Sequence, residues 1–154
     1  AVKCILPPGA LNAKENIKNR PVYDSEDYVI FKGLEDLEEL TVLGDQSMID
    51  QVIYNLVDNA VKFTNEGGKI IINSASDKKN VYFSVTNTGK GIPKKDIGKV
   101  FERFYKVDQS RSTDVKSTGL GLFLVKSIID LHAGTITVES EPDQFTRFTV
   151  KLPR

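Results

Sequence analysis

Three polar side chains interrupt an otherwise apolar stretch of the sequence, QVIYNLVDNAVKFT (51–64). Asn55, Asn59 and Lys62 are spaced i, i+4 and i+7, so a helix would place them on one face. The pattern therefore predicts a helix with one face directed at a ligand that needs amide groups and a cation.

The same helix has a second stripe of residues that are suited to burial. These residues are Ile49, Val52, Leu56, Ala60 and Phe63. Their spacing is that of an apolar helical face, so we expect all five to pack in the core. Asp45 is placed to cap a helix that runs from about Gln46 to Phe63.

Two glycine-rich turns lie further along the chain. NTGKGIP contains Asn87, Gly89 and Gly91, and STGLGL contains Gly119 and Gly121. Glycines let the backbone approach a ligand closely, and the second turn opens a helix whose N-terminal amides favour phosphate. Either turn alone could be only a tight turn, and neither matches the P-loop or dinucleotide patterns. The functional indication lies in the order of the motifs along the chain.

Composition and charge limit the classes of protein. The 154 residues fit one domain, with 40% hydrophobic and 27% charged residues. A net charge of zero argues against bulk affinity for nucleic acid or an anionic membrane. Cys4 is the single cysteine, which excludes a disulfide or a thiolate metal cluster within the chain. Because the sequence begins without Met and ends in KLPR, we expect it to be part of a longer protein.

The remaining pattern predicts short strands and helices in one α/β layer arrangement. We predict three β-hairpins, formed by 27–33 with 37–45, 69–76 with 80–87, and 135–140 with 145–153. Besides the first helix, we predict helices over 93–100 and 118–134, and a short one around 10–18. Residues 102–117 are polar and without period, which is typical of a long functional loop. The sheet is expected to be mainly antiparallel, with the helices on one face.

Four motifs in order carry a resemblance to a known family. The order N-x-x-x-N-A-x-K-F-T, T-G-x-G-I-P, F-x-x-F-Y-x-x-D and T-G-L-G-L closely resembles the catalytic, ATP-binding domain of sensor histidine kinases. That domain belongs to the GHKL superfamily, together with gyrase, mismatch-repair and chaperone ATPases. The match covers roughly residues 40–153. It implies the Bergerat fold, an α/β two-layer sandwich with a mixed, mainly antiparallel sheet and about three helices on one face. We expect this domain to span 28–154, with 1–27 packed on it or leading into it.

The resemblance implies roles for the polar helix face. Asn59 would bind Mg²⁺ through its amide oxygen, and Asn55 would support the water shell of the metal or the phosphates. Lys62 and Lys106 would neutralise phosphate charge. Hydrolytic members of the superfamily carry a water-activating glutamate at the position of Asn55, and an amide cannot act as a general base. The neighbouring Asp58 is a possible group to polarise water instead, but one residue along the helix its side chain points about 100° away from that of Asn59. The resemblance therefore implies a phosphotransferase with little ATPase character.

The nucleotide site implied by the resemblance draws on all four motifs. It comprises Asn59, Asn87, Gly89, Gly91, Ile92, Phe101, Tyr105, Thr118, Gly119, Leu120, Gly121, Leu122 and Thr146. Phe101 and Phe104 match an aromatic box that is partly core, and Tyr105 would stack on or near the base. Arg103, Arg111 and Lys116 could supplement Lys106.

The sequence departs from the family pattern at two points near the adenine site. Most relatives have aspartate at position 87, whereas Asn87 would accept from the adenine amino group without charge assistance. The glycine that usually precedes Thr146 is also missing, and Asp143, Gln144 and Phe145 fill that turn.

His132, the single histidine, is not predicted to be the phosphoacceptor. It matches a structural H-x-G motif at a helix end, and no H-E-x-x-x-P type motif is present. We therefore expect the chain to bind Mg²⁺-ATP and to donate the γ-phosphoryl group to a histidine on a separate dimerisation domain. Without that domain it would be inactive in autophosphorylation. The phosphoryl group would then pass to a response regulator in two-component signalling, with this domain on the cytoplasmic side of a membrane-anchored bacterial kinase.

Two alternatives stay open at this point. Asn87 and the changed turn are compatible with a non-catalytic, nucleotide-sensing scaffold of the same fold. An anti-sigma-type serine kinase also shares the fold, and the length of the native gene and the presence of an acceptor histidine would distinguish it. A DNA-linked ATPase is disfavoured by Asn55 and by the neutral charge.

Overall fold

A five-stranded β-sheet positions the rest of the chain. The computed structural model describes residues 2–5, 30–32, 41–107 and 119–154. The strands are β1 (Val2–Ile5), β2 (Ile30–Lys32), β3 (Thr41–Gly44), β4 (Lys69–Ser76), β5 (Asn80–Thr88), β6 (Thr135–Glu141) and β7 (Phe145–Pro153). The helices are α1 (Gln46–Phe63), α2 (Lys94–Ile97) and α3 (Gly121–Leu131). The order in the sheet is β2-β4-β5-β7-β6, and β1 pairs with β3 in a separate two-stranded sheet.

Two of the three predicted hairpins are confirmed. β4 and β5 pair antiparallel with Ser76 opposite Val81, and β6 and β7 pair antiparallel with Glu141 opposite Phe145. Asp77 closes the first turn, where its Oδ1 accepts from the backbone amides of Lys79 (2.7 Å) and Asn80 (2.8 Å). The turn chemistry thus fixes the register of β4 and β5.

The predicted hairpin of 27–33 with 37–45 is wrong. Both segments contain strands, but β2 pairs parallel with β4, with Ile30 opposite Lys69. β3 pairs antiparallel with β1, with Val2 opposite Gly44. Segments of three or four residues carry too little pattern to select a partner, and chain neighbours often do not pair with each other.

Helix α1 has the predicted bounds, Gln46–Phe63, and Asp45 caps it by accepting from the Met48 amide at 2.9 Å. Its buried residues are Ile49, Val52, Ile53, Leu56, Val57, Ala60 and Val61. The predicted burial of Phe63 is wrong, because its side chain is 53% exposed. Ile53, Val57 and Val61 widen the packing face instead, while Phe63 is the last helical residue and extends past the core.

The helices and the sheet enclose one apolar core. Alternate residues of three strands face it, namely Ile70 and Ile72 of β4, Val81, Phe83 and Val85 of β5, and Phe148, Val150 and Leu152 of β7. α1 packs against β5 and α3, while α2 and α3 both contact β6. The opposite face of the sheet is polar, with Ser84 beside Thr149 and Thr149 beside Thr137. The two-layer, mainly antiparallel fold is therefore confirmed, with β2 as the parallel edge strand.

The two later helices are shorter than predicted. α2 covers only Lys94–Ile97, directly after Pro93, and α3 covers Gly121–Leu131. The predicted short helix at 10–18 and most of the predicted loop lie outside the described residues. None of the helices in the described ranges combines the length and the hydropathy that a bilayer span requires.

His132 connects the end of α3 to the start of α1. Its Nδ1 lies 2.8 Å from the Ile128 carbonyl oxygen, to which it donates, and its Nε2 accepts from the Asp45 amide at 3.1 Å. A Cβ on Gly44 would lie 2.7 Å from the His132 ring, so the two residues pack closely. Backbone groups thus occupy both ring nitrogens, as expected for a structural histidine.

Removal of the Ser74 hydroxyl should stabilise the fold. Ser74 lies on the helix-facing side of β4, opposite Phe83, and its buried Oγ has no hydrogen-bond partner among the described residues. Since an unpaired buried hydroxyl is unfavourable, Ser74→Ala should raise the free energy of unfolding in urea by about 1 kcal/mol. Ser84→Ala, on the polar face, is the matched control and should change little. A clear loss of stability in Ser74→Ala would contradict the prediction.

Acid unfolding should depend on Asp77. Amide hydrogen bonds from Lys79 and Asn80, and then the Tyr82 hydroxyl, lower the pKa of Asp77 from 3.8 to about 2. A lowered pKa in the fold adds stability above the unfolded pKa, and that stability is lost as the pH falls towards 2. Urea unfolding between pH 5 and 2 should show a shallower pH dependence in Asp77→Asn than in the parent. Glu66→Gln, at another exposed acidic residue, is the control. Equal slopes for all three proteins would refute the role of Asp77.

Candidate functional site

The polar face of α1 meets the start of α3. Asn55 is half-buried, and its Nδ2 is buried without a hydrogen-bond partner among the described residues. A Cβ on Gly121 would lie 3.6 Å from the Asn55 Oδ1, so the amide faces the first residue of α3. A buried donor that lacks a partner is costly, so an anionic oxygen or a water molecule that reached it would form a favourable hydrogen bond.

Asn59 and Lys62 continue this face towards the C-terminal end of α1. Asn59 is half-buried, and no described residue forms a hydrogen bond with its side chain. Lys62 forms an ion pair with Asp58, whose carboxylate lies 2.7 Å from Nζ. The Asp58 side chain is only 12% exposed, so the pair is partly shielded from water. The structure thus leaves Asn59 available to a ligand, whereas a phosphate at Lys62 would compete with Asp58.

Asn87 and Thr146 are brought together by the sheet. They lie directly opposite each other on β5 and β7, and they are 3% and 6% exposed. Asn87 Nδ2 donates to the Thr88 carbonyl at 3.2 Å, which uses a donor of the amide and leaves Oδ1 as an acceptor without a described partner. The neutral residue at position 87 is therefore oriented with its amide oxygen as a free acceptor among the described residues.

The first glycine turn packs between the end of α1 and the end of β6. A Cβ on Gly89 would collide with the Phe63 carbonyl oxygen, and one on Gly91 would lie 2.5 Å from the Glu141 carbonyl oxygen. Gly91 also has φ +67°, which disfavours any residue with a side chain. Ile92, which is buried, donates its amide to Ser140 Oγ at 2.8 Å. The turn therefore holds Ile92 beside the Asn87–Thr146 pair.

The turn between β6 and β7 compensates for its missing glycine. Asp143 adopts φ +59°, a conformation that Asp tolerates better than most residues. Its amide donates to the Lys90 carbonyl at 2.7 Å, and the Gly89 amide donates to the Gln144 carbonyl at 3.3 Å. The changed turn thus contacts the first glycine turn through the backbone, and Thr146 remains in register with Asn87.

The aromatic motif is divided between the core and the surface. Phe101 packs edge-on against Phe148, with ring centroids 6.0 Å apart. Phe104 is 60% exposed, and the Arg103 guanidinium lies 4.9 Å from its ring centroid. The Tyr105 hydroxyl donates to the buried carboxylate of Asp96 in α2. This bond holds Tyr105 to α2, and its predicted stacking on a base stays a prediction.

Phe104 and Gly119 meet at the base of the segment that separates the aromatic motif from α3. The Phe104 amide donates to the Gly119 carbonyl at 3.0 Å, and both residues have positive φ, +63° and +69°. A Cβ on Gly119 would lie 2.9 Å from the Phe104 backbone, so only glycine fits there. Phe104 carries some strain, of the order of 1–2 kcal/mol, which the surrounding bonds must offset.

The remaining predicted residues have simpler placements. Leu120 directly precedes α3, and Leu122 packs against the core. Lys106 is half-buried and forms no ion pair within the described ranges. Thr118, Arg111 and Lys116 lie outside the described residues.

The described residues contain no group of three or more His, Cys, Asp or Glu side chains that could bind a metal ion. Mg²⁺ also accepts amide and ligand oxygens when it is bound with a nucleotide. Asn59 can supply one such oxygen, so the residues present fit this mode of binding.

Two contributors to the site were missed by sequence reasoning. Ser140 bonds Ile92 and lies 3.0 Å from Thr146 Oγ1, and Asp96 holds Tyr105. Ser140 stands in an ordinary alternating strand pattern, and Asp96 in a charged helical turn, so neither carries a signal in the sequence. Both become visible only when the strands and helices are assembled.

Comparisons with known proteins agree with this fold and motif order. The profile of the family described as "Histidine kinase-, DNA gyrase B-, and HSP90-like ATPase" matches residues 44–154. The sensor protein SrrB of Staphylococcus aureus is 42% identical over 110 residues, which are 71% of this chain and 19% of that protein. The chain thus spans about a fifth of the length of that relative.

Solved structures show the same similarity along the whole chain. The mycobacterial sensor histidine kinase MprB superposes with a TM-score of 0.82 at 25% identity, covering 99% of this chain and 97% of that one. The catalytic domain of the histidine kinase ThkA gives a TM-score of 0.76 at 30% identity, with 99% and 96% covered. The fold is that of histidine kinase catalytic domains. The chain belongs to the family of histidine kinase-, DNA gyrase B- and HSP90-like ATPases.

The Tyr105–Asp96 bond should be detectable by titration. The hydrogen bond to Asp96 raises the pKa of Tyr105 to about 12. A raised pKa in the fold means that the stabilisation is complete below the ordinary value of 10.0 and is lost as the pH rises towards 12. Ultraviolet titration should show a phenol that ionises near pH 12, besides Tyr82, whose pKa is also raised by its hydrogen bond to Asp77. The Tyr105 signal should disappear in Tyr105→Phe and return towards pH 10 in Asp96→Asn. A parent curve in which the signal assigned to Tyr105 titrates near 10 would contradict the bond.

Proposed function

We propose that the domain binds Mg²⁺-ATP and donates the γ-phosphoryl group to a histidine on a separate dimerisation domain. The observation that carries the proposal is the buried Asn55 amide, which faces Gly121 at the start of α3 without a described partner for Nδ2. Anionic oxygens are favoured at a helix N-terminus, and a rotation of the Asn55 amide, whose Oδ1 is the atom nearest Gly121, would turn its Nδ2 donor towards them.

The base of the nucleotide would be held at the other end of the site. Asn87 Oδ1 would accept from the adenine amino group beside Thr146, and Ile92 would contribute an apolar surface. Gly89 and Gly91 let the backbone of the turn pack where side chains would collide. Gly119, Leu120, Gly121 and Leu122 would bring the start of α3 to the phosphates.

The polar face of α1 would handle the phosphates and the metal. Mg²⁺, when bound, would neutralise phosphate charge and orient the γ-phosphoryl group for transfer. Asn59 would hold it through the amide oxygen, and Lys106 would supply a further positive charge. Lys62 would contribute when phosphate oxygens replace Asp58 as its partner.

Asn55 also favours transfer over hydrolysis. An amide cannot take a proton from water, so no general base acts at this position. Lys62 holds the Asp58 carboxylate at 2.7 Å, which disfavours Asp58 as a replacement base. The attacking group must then be supplied by a partner whose nucleophile is already reactive, and a neutral histidine imidazole meets this requirement.

His132 does not meet this requirement, because backbone groups occupy both of its ring nitrogens. The acceptor would therefore lie on the dimerisation domain of the same kinase, and the phosphoryl group would pass from there to a response regulator. We infer a cytoplasmic position for this domain in a membrane-anchored sensor kinase, which the similarity to the sensor protein SrrB supports.

The Lys62–Asp58 ion pair favours a second candidate, a nucleotide-sensing scaffold without catalysis. In such a protein the lysine would stay neutralised by Asp58, and the metal would add little to binding. The two candidates therefore differ in the expected effect of Mg²⁺.

Calorimetric titration with a non-hydrolysable ATP analogue tests the proposal. Binding should be saturable and stronger with Mg²⁺, and Asn59→Ala should weaken the Mg²⁺-dependent binding by about tenfold or more, because one oxygen ligand is lost. Asn73→Ala, an exposed asparagine on β4, is the matched control and should bind like the parent.

Each alternative result has a distinct meaning. Binding that does not respond to Mg²⁺ or to Asn59→Ala would support the scaffold and reject the metal site at Asn59. Absence of binding by the parent would reject nucleotide binding as a whole.

A further inference from the structure

Ser140 lies at the junction of three parts of the base site. Its Oγ accepts from the Ile92 amide at 2.8 Å and donates to the Phe145 carbonyl oxygen at 2.7 Å. It also lies 3.0 Å from Thr146 Oγ1. One hydroxyl thus connects the first glycine turn, the turn between β6 and β7, and the threonine beside Asn87.

The proton of Ser140 can be assigned from these contacts. The Ile92 amide can only donate and the Phe145 carbonyl can only accept, so the single hydroxyl proton of Ser140 must point to Phe145. If it pointed to Thr146 instead, Ser140 Oγ and the Phe145 carbonyl oxygen would lie 2.7 Å apart with no proton between them. The Thr146 hydroxyl must therefore donate to Ser140, and its own lone pairs remain for a ligand.

The neighbouring Asn87 is fixed in the same sense. Its Nδ2 donates to the Thr88 carbonyl, so Oδ1 is the atom available to a ligand. Asn87 and Thr146 are directly opposite on adjacent strands and both are buried, so the two acceptors lie side by side on the helix-facing side of the sheet.

We propose that Ser140 is a specificity-determining positioning residue, which fixes the Thr146 hydroxyl as an acceptor and so makes the site select a 6-aminopurine over a 6-oxopurine. This inference rests on the nucleotide binding proposed above. A 6-amino group donates to both acceptors, whereas a 6-oxo group would place a third acceptor against them. Sites that hydrogen-bond one substrate group discriminate strongly when a competitor leaves buried polar groups unpaired.

The neutral side chain at position 87 increases the importance of Ser140. A carboxylate can only accept, so it would reject a 6-oxo group by itself. An amide could rotate and present its NH₂ group, at the cost of its bond to Thr88. The orientation of the Thr146 hydroxyl is therefore a second feature, besides the bond of Asn87 to Thr88, that makes the site present only hydrogen-bond acceptors.

A binding comparison between ATP and ITP, which differ at position 6 of the purine, tests the proposal. With Mg²⁺ present, calorimetry should show that the parent prefers ATP. In Ser140→Ala the Thr146 hydroxyl is released and can donate to the 6-oxo group. The preference for ATP, expressed as the Kd of ITP divided by the Kd of ATP, should therefore fall by about tenfold. Ser140→Thr keeps the hydroxyl and should restore the parent ratio. Ser84→Ala, a serine on the polar face of the sheet, should leave it unchanged.

The failure of this inference can be separated from the failure of the proposed function. If the parent binds neither nucleotide, nucleotide binding itself is rejected, and the inference with it. If the parent binds ATP but Ser140→Ala keeps the same ratio of the ITP Kd to the ATP Kd, the role of Ser140 is rejected while the proposed function stands.

A second variant covers the case in which Ser140→Ala does not fold. Thr146→Val has nearly the same shape and leaves the bonds of Ser140 to Ile92 and Phe145 in place. It should lower the ratio of the ITP Kd to the ATP Kd, because one of the two acceptors for the 6-amino group is lost. An unchanged ratio in this variant would overturn the proposal.

Discussion

The packing of α1 against the sheet and against α3 is the contact on which the other features depend. Its apolar side is covered by β5 and α3, and this sets the distance between the polar side and the start of α3. Asn55 reaches Gly121 because of that packing, and the Phe63 carbonyl meets Gly89 at the other end of the same helix. The core and the site are therefore built from two sides of one helix, and a shift of α1 would change both.

The sheet supplies the second part of the site through its register. Asn87 and Thr146 are far apart in the sequence, and the pairing of β5 with β7 places them opposite each other. The pairing of β6 with β7 then brings Ser140 to Thr146, since the two residues are also in register. A slip of one residue in either pair would turn these side chains to the polar face. The tight turn at Asp77 and the contacts of Asp143 with Lys90 therefore help to define the proposed base site as well as the fold.

The sequence was sufficient to predict those elements whose hydrophobic pattern repeats over many residues. The period of α1, its Asp45 cap and the two hairpins with long strands were predicted correctly because each has many residues that report the same pattern. The pairing of β2 and β3 was not, because three or four apolar residues do not encode a partner. Phe63 was misplaced for a related reason, since a periodic stripe does not show where the core ends. Ser140 and Asp96 could not be predicted at all, because their roles arise from contacts across the assembled sheet and helices.

The proposed base site offers hydrogen-bond acceptors, and the Asn55 amide cannot act as a general base. The two features favour the same interpretation of the domain. Three polar groups of the proposed site are held by a neighbour, with Thr88 orienting Asn87, Ser140 orienting Thr146, and Asp58 holding Lys62. Asn55 is different, because its buried Nδ2 has no partner in the described part of the chain. Under the proposed function, a site that orients its ligand and has an amide in place of a general base at Asn55 would suit a phosphoryl donor that is held until an acceptor arrives. Under the same proposal, the cost of leaving the buried Asn55 amide unpaired in the free protein keeps a hydrogen-bond donor available for the phosphates.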